Sequence, residues 1–204
     1  YKAMSPVFLG EATVFLHAND EKQIKDGVKF LQDQKIKNIV VVGGTNSLEA
    51  ADFMSKNNIK IALEQPHNLP SMEDEDVKSR FRLASQLINK GVTVAVDPTG
   101  AMTRMNTRNL PFFAGSFSAY GVEKEKAVET ITLNAAKVLG IEDNYGSIEV
   151  GKSATLFISH GDALDMRTNN LSHAYIDGRE VSLETNQTKL WQRYKKKVEE
   201  EKSN

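Results

Sequence analysis

Cysteine is absent from the 204 residues, and with it go disulfide bridges and thiolate chemistry, whether for nucleophilic attack or for metal binding. The same absence does not choose between a reducing and an oxidising compartment. An excess of one charge is also missing: 26 Lys and Arg stand against 27 Asp and Glu, for a formal net charge of −1. Neither nucleic acid nor a membrane surface is therefore expected as a partner. No apolar run approaches the roughly 20 residues needed to span a bilayer. What is present is ordinary for a globular protein, 40% hydrophobic and 26% charged, in a chain long enough to bury a sizeable core.

Hydrophobic periodicity organises the first half of the chain into repeated units. Residues 13–16 form a β-rich run, and 21–34 follow with helical spacing at Ile24, Val28 and Leu31. The unit then recurs. Residues 38–42, 59–63 and 92–96 read as strands, with helices over 47–56 and 73–89, the latter opened by Ser71 as a cap. Strands alternating with helices imply parallel βα units, and near-continuous apolar strands imply burial on both faces. Four such units make either a small open sheet or half of an eight-stranded barrel.

The second half has a different texture. Over 123–139 the positions Ala127, Val128, Ile131, Ala135, Val138 and Leu139 predict one helix with a buried face, ended by Gly140 in a left-handed cap. Gly146, Gly151 and Gly161 then punctuate short apolar runs at 147–150 and 154–159. A run at 173–176 meets Asp177-Gly178 and continues over 180–183, a hairpin signal. The last helix, 188–202, ends in a charge run that reads as a solvated face, with Leu190, Trp191 and Tyr194 packing it to the body.

Thr132, Asn134, Ala136, Leu139 and Gly140 match a T-x-N-x-A-x-x-L-G pattern. Gly146, Ser147, Gly151, Lys152 and Ala154 match the G-S-x-x-x-G-K-x-A sequence that follows it, with Thr155 where aspartate is usual. This ordered pair of motifs resembles the C-terminal end of the metal-dependent amidohydrolase superfamily, in its imidazolonepropionase-like and prolidase-like branch. The resemblance implies an α/β fold: the C-terminal half of a (β/α)8 barrel (1–140, strands five to eight plus the last helix), a small β-sandwich segment (141–184) and a C-terminal helix and tail (185–204). The first four strands have no counterpart here, and Tyr1 is not a start methionine. The expectation is a truncated chain that associates with the missing N-terminal half, or a homo-oligomer that covers its open edges.

The same resemblance assigns chemistry. It makes His17, after the first run, a ligand of a divalent metal, zinc foremost, and makes Asp97 both metal-touching and the general base that moves a proton from water to the leaving group. Without the resemblance, His17 reads as a satisfied structural histidine and Asp97 as the opening of an Asp-Pro turn. Gly43 stands where a third ligand is expected, and glycine has no ligand atom; with Gly44 it forms either a tight turn or a close approach for a substrate backbone or phosphate. His67, Arg104 and Asn106 are candidate substrate contacts, with Arg108 and Glu64 nearby, each also explicable as an ordinary loop residue. His160 and His173 read as structural or exposed.

Two functions follow. One is the hydrolysis of amide or cyclic amide C–N bonds in a small-molecule or peptide-like substrate, by water that a divalent metal activates in the full-length protein, with this chain alone expected to be inactive and to lack the metal. The other is a degenerate relative that keeps the fold as a binding or assembly scaffold with an incomplete metal site.

Overall fold

The computed structural model describes residues 2–70, 73–99, 105 and 107–202. Ser71, Arg104 and Asn106 lie outside the described residues. After α1 (Ser5–Leu9) the βα units follow in the expected order: β1 (Val14–Asp20), α2 (Glu21–Asp33), β2 (Ile39–Asn46), α3 (Ala51–Lys56), β3 (Lys60–Glu64), α4 (Ser79–Asn89) and β4 (Val94–Asp97). The strands lie side by side as β1-β2-β3-β4, and every pair is parallel.

Several boundaries differ from expectation, and two of the shifts matter most. The helix predicted from residue 73 begins at Ser79, because the acidic stretch before it is used in turns: Asp76 accepts from the Lys78 amide at 3.0 Å, and Glu75 pairs with Arg80 at 2.9 Å. β1 continues beyond residue 16 to Asp20, with a register shift between Ala18 and Asp20, because its neighbour β2 also runs on to Asn46. His17 is therefore inside a strand rather than after it.

Register divides the strand residues between two faces. On one face Leu16, Val41, Ile61, Leu63, Val94 and Val96 pack against Ile24 and Val28 of α2, Met54 of α3 and Leu83 and Leu87 of α4. Phe113 and Phe117 complete this core from α5 (Leu110–Ala119), a helix absent from the sequence reading. The opposite face carries Phe15, His17, Val40, Val42, Lys60, Ala62, Glu64, Ala95 and Asp97. Parallel sheets are ordinarily covered on both sides. Here the second face is covered only in part, since Phe15 remains 42% exposed.

What covers the rest of that face comes from the helix predicted over 123–139, which is broken in two: α6 (Lys124–Glu129) and α7 (Leu133–Leu139). Thr130 and Thr132 cause the break by turning their hydroxyls back onto the carbonyls of Ala127 and Val128, at 2.6 and 2.8 Å. After this bend, Ala135 and Val138 of α7 reach Val40, Ala62 and Ala95. Asn134 donates to the carbonyl of Val94 at 3.0 Å, and Val96 donates to the carbonyl of Thr130, also at 3.0 Å. The outer edge of β4 is thus partly satisfied.

Gly140 ends α7 in the left-handed conformation, at φ 71° and ψ 33°. A Cβ on Gly146 would stand 2.7 Å from that of Ala136, so the two motifs meet as one packed unit. Residues 147–150, expected as a strand, are irregular: Ser147 bonds Glu149 and receives Lys152, each at 2.6 Å, while Ile148 and Val150 are exposed with no strand beside them. Beyond them β5 (Leu156–Ser159), β6 (Leu171–Ile176) and β7 (Arg179–Glu180) form an antiparallel sheet. Asp177 and Gly178, at φ 49° and 77°, make the expected hairpin turn. This sheet is a single layer. α8 (Asn186–Lys202) is exposed from Asn186 to Glu201: Leu190, Trp191 and Tyr194 are 49%, 62% and 58% accessible, so they do not pack it to the body.

Candidate active site at the C-terminal ends of the parallel strands

Asp97 is the last residue of β4 and is 8% exposed. Its carboxylate is oriented by one neighbour: the Thr99 amide donates to Oδ1 at 2.9 Å, and the Thr99 hydroxyl donates to Oδ2 at 2.7 Å. Pro98 lies between them, so the Asp-Pro turn and a positioned carboxylate are the same structure. Register sets Glu64 of β3 directly beside Asp97.

Glu64 opens a chain of polar contacts that single-residue inspection of the sequence misses. Asn68 donates to Glu64 and accepts from Gln65 at 2.5 Å, while Gln65 in turn accepts from the His67 amide at 2.8 Å. The loop after β3 is therefore tied by side chains whose spacings, three and four residues, leave no periodic signal.

His67 is turned away from Asp97. Its ring stands edge-on to Phe113 of α5, with centroids 5.1 Å apart, and tilts against Phe81 of α4 at 5.7 Å. Nε2 lies 2.7 Å from the hydroxyl of Ser116 on α5. Although the residue is exposed, partial desolvation by these groups holds its pKa below the usual imidazole value. α4 and α5 pack on the helical face, whereas Asp97 and Glu64 belong to the other, so His67 and Asp97 look into different spaces.

His17 shares the face of Asp97 but not its level. The cross-strand row His17, Val42, Ala62, Ala95 lies one pleat repeat before the row of Glu64 and Asp97. With neighbouring strands about 4.8 Å apart, β1 and β4 are separated by about 14 Å along the sheet. Among the described residues, no three His, Cys, Asp or Glu side chains gather where a metal could be held. Gly43, where a third ligand was sought, has φ 97°, and a Cβ there would stand 2.6 Å from Oδ1 of Asn19. Gly44, at φ 66°, would place a Cβ 2.3 Å from Ile61. Both glycines are accounted for by a tight backbone path against occupied space. Arg108 lies in a 3-10 turn, Thr107–Asn109, and is exposed. His160 and His173 are exposed as well.

Comparison with known proteins bears on this geometry. The model of the Amidohydrolase family matches residues 17–181. Among solved structures, an amidohydrolase from Thermotoga maritima MSB8 superposes with a TM-score of 0.76 at 24% identity, over 89% of this chain and 46% of that one. A prolidase complexed with n-methylphosphonate-L-proline superposes with a TM-score of 0.66 at 15% identity, over 88% of this chain and 47% of that one. Imidazolonepropionase of Shewanella baltica (strain OS185) is 67% identical over 30 residues, 15% of this chain and 7% of that protein. The chain spans about half the length of the solved structures it resembles.

Proposed function

Because this chain belongs to the amidohydrolase family, we propose that it provides the proton-handling carboxylate of a hydrolase acting on C–N bonds. The observation that carries the reading is the placement of Asp97: buried, at the C-terminal end of a parallel strand, with both oxygens oriented by Thr99. Active groups of βα folds gather at that end of the sheet. Asp97 takes the proton of the attacking water and returns it to the leaving nitrogen. Substrates in this reading are small amides, cyclic amides or peptide-like molecules.

His17 and Asp97 offer an imidazole nitrogen and a carboxylate oxygen, donor types suited to zinc. Two donors three strands apart do not complete a metal site, and Gly43 cannot add a third. We therefore place the remaining donors outside these 204 residues. The uncovered face around Phe15 and the free edge of β1 are assigned to the other half of the barrel or to a second copy, since unpaired edges invite pairing. The division of the chain at 140 and 184 belongs to the same proposal, and the separation of a four-stranded from a three-stranded sheet supports its first boundary.

The test is Asp97→Asn in the full-length protein, assayed on cyclic amides and Xaa-Pro dipeptides. A fall in kcat of about a hundred-fold or more is expected, within the range of a lost general base. Unchanged turnover overturns the assignment. One observation favours a second reading, a binding scaffold without catalysis: Gly43 carries no ligand, and the space a side chain there would need is filled by Asn19. Elemental analysis after metal-supplemented preparation separates the two, because a scaffold retains no zinc, manganese or iron.

A further inference from the structure

A cleft of about 450 Å3 opens between α5 and residues 162–167, on the helical side of the sheet and away from Asp97. Its floor is the His67–Ser116 pair, 2.7 Å between Nε2 and Oγ. Two ion pairs stand at its rim, Lys124 with Asp162 at 2.8 Å and Arg167 with Asp165 at 2.8 Å. Phe112 and Met166 add apolar surface. The size is within the range of small-molecule sites, roughly 300–1,000 Å3.

Ser116 and His67 do not form a nucleophilic pair. Ser116 is in the interior of α5, where the neighbouring backbone amides are committed to the helix and cannot stabilise an oxyanion. Its hydroxyl also bonds the Phe112 carbonyl at 3.0 Å. Ser116 and the neutral form of His67 offer an uncharged recognition surface, and partial desolvation of the ring favours that form.

We propose that this cleft binds a small zwitterion of the free amino acid class, at a site separate from that of Asp97. Two cations and two carboxylates balance over a neutral floor. A ligand of one charge would engage one member of a pair and strand the other, whereas a zwitterion gives every group a partner. Its carboxylate meets Lys124 and Arg167, its ammonium meets Asp162 and Asp165, and an apolar side chain lies on Phe112 and Met166. The exchange is cheap because the existing pairs are exposed, with Arg167 83% and Lys124 56% accessible, and exposed pairs hold weakly. The guanidinium adds a planar fork fitted to a carboxylate.

Calorimetric titration of the full-length protein with L-leucine, N-acetyl-L-leucine and L-leucinamide tests the proposal. L-leucine is expected to bind, with each blocked derivative about ten-fold weaker, the scale of one lost charge-assisted hydrogen bond. Arg167→Gln and Asp162→Asn are each expected to weaken L-leucine by a similar factor, and Asp97→Asn to leave its affinity unchanged. The exposed Arg167 makes loss of folding an unsuitable explanation for its effect. Absence of L-leucine binding, equal binding of the blocked derivatives, or loss on Asp97→Asn without loss on Arg167→Gln overturns the proposal. None of these outcomes depends on the hydrolase reading, whose own test is turnover.

Discussion

Thr99 holds both carboxylate oxygens of Asp97, its amide at 2.9 Å from Oδ1 and its hydroxyl at 2.7 Å from Oδ2. A carboxylate bonded in this way has one orientation, which is what a proton acceptor aimed at a bound substrate needs. Thr99→Val keeps the shape and the amide but removes the hydroxyl donor. In the proposed reaction kcat should fall about ten-fold, the scale of one lost hydrogen bond to a charged group, with KM little changed. Thr99→Ser should recover most of it. If valine and serine behave alike in steady-state assays, the hydroxyl does not position Asp97.

Asn134 stabilises the fold rather than any chemistry. Its amide is the side-chain partner of the buried Val94 carbonyl, so Asn134→Leu leaves an acceptor unsatisfied at a cost of about 1–3 kcal/mol. Thermal unfolding should report a drop of several degrees. An unchanged melting temperature would mean that Val94 finds water.

Gly43 combines a φ of 97° with a Cβ path into Oδ1 of Asn19. Gly43→Ala should destabilise by about 1–3 kcal/mol in denaturant titration, the cost of backbone strain at such a conformation. In an Asn19→Ala background, where the clash is gone and only the strain remains, the loss should be smaller. Equal losses in the two backgrounds would show that Asn19 is irrelevant. Gly43→His is expected to unfold the protein more readily, not to restore a metal ligand.

His67 makes stability depend on pH in a stated direction. Partial desolvation depresses its pKa in the folded chain below the ordinary imidazole value, so the unfolded chain takes up the proton first. The contribution is complete above about pH 6.5, the unfolded value, and is lost as pH falls from there through the folded value. Melting temperatures measured from pH 7.5 down to 5.5 should decline more steeply for the wild type than for His67→Gln. Parallel curves would refute the assignment.

The four parallel strands were legible because each is a short apolar run bounded by helical periodicity, and such signals are local. The left-handed cap at Gly140 and the Asp177-Gly178 turn were legible for the same reason, since backbone conformation at one or two residues chooses the amino acid. α5 escaped notice because Leu-Pro-Phe-Phe-Ala-Gly-Ser-Phe-Ser-Ala is apolar nearly all round. It is packed on two sides, with Phe113 and Phe117 in the core and Gly115 against the Leu164 carbonyl, so no polar face marks its period. The break between α6 and α7 escaped notice because threonine hydroxyls compete with helical hydrogen bonds only when the chain gains something by turning. Here the gain is the contact of Ala135 and Val138 with the sheet. The pattern at Leu190, Trp191 and Tyr194 promised burial, yet all three side chains remain about half exposed or more.

Local chemistry in the chain was enough to set the order of strands and helices, their parallel arrangement and the family motif from Thr132 to Ala154. Which candidates meet was decided only by the tertiary structure. Asp97 stands beside Glu64 because β3 and β4 pair in that register, and His17 is held one row back and three strands away by the pairing of β1 with β2. His67, three residues beyond the end of β3, turns its ring instead to Ser116, because Phe81 and Phe113 offer it a packed site on the helical side. Register and packing join residues far apart in the chain, and no stretch of sequence carries that information alone.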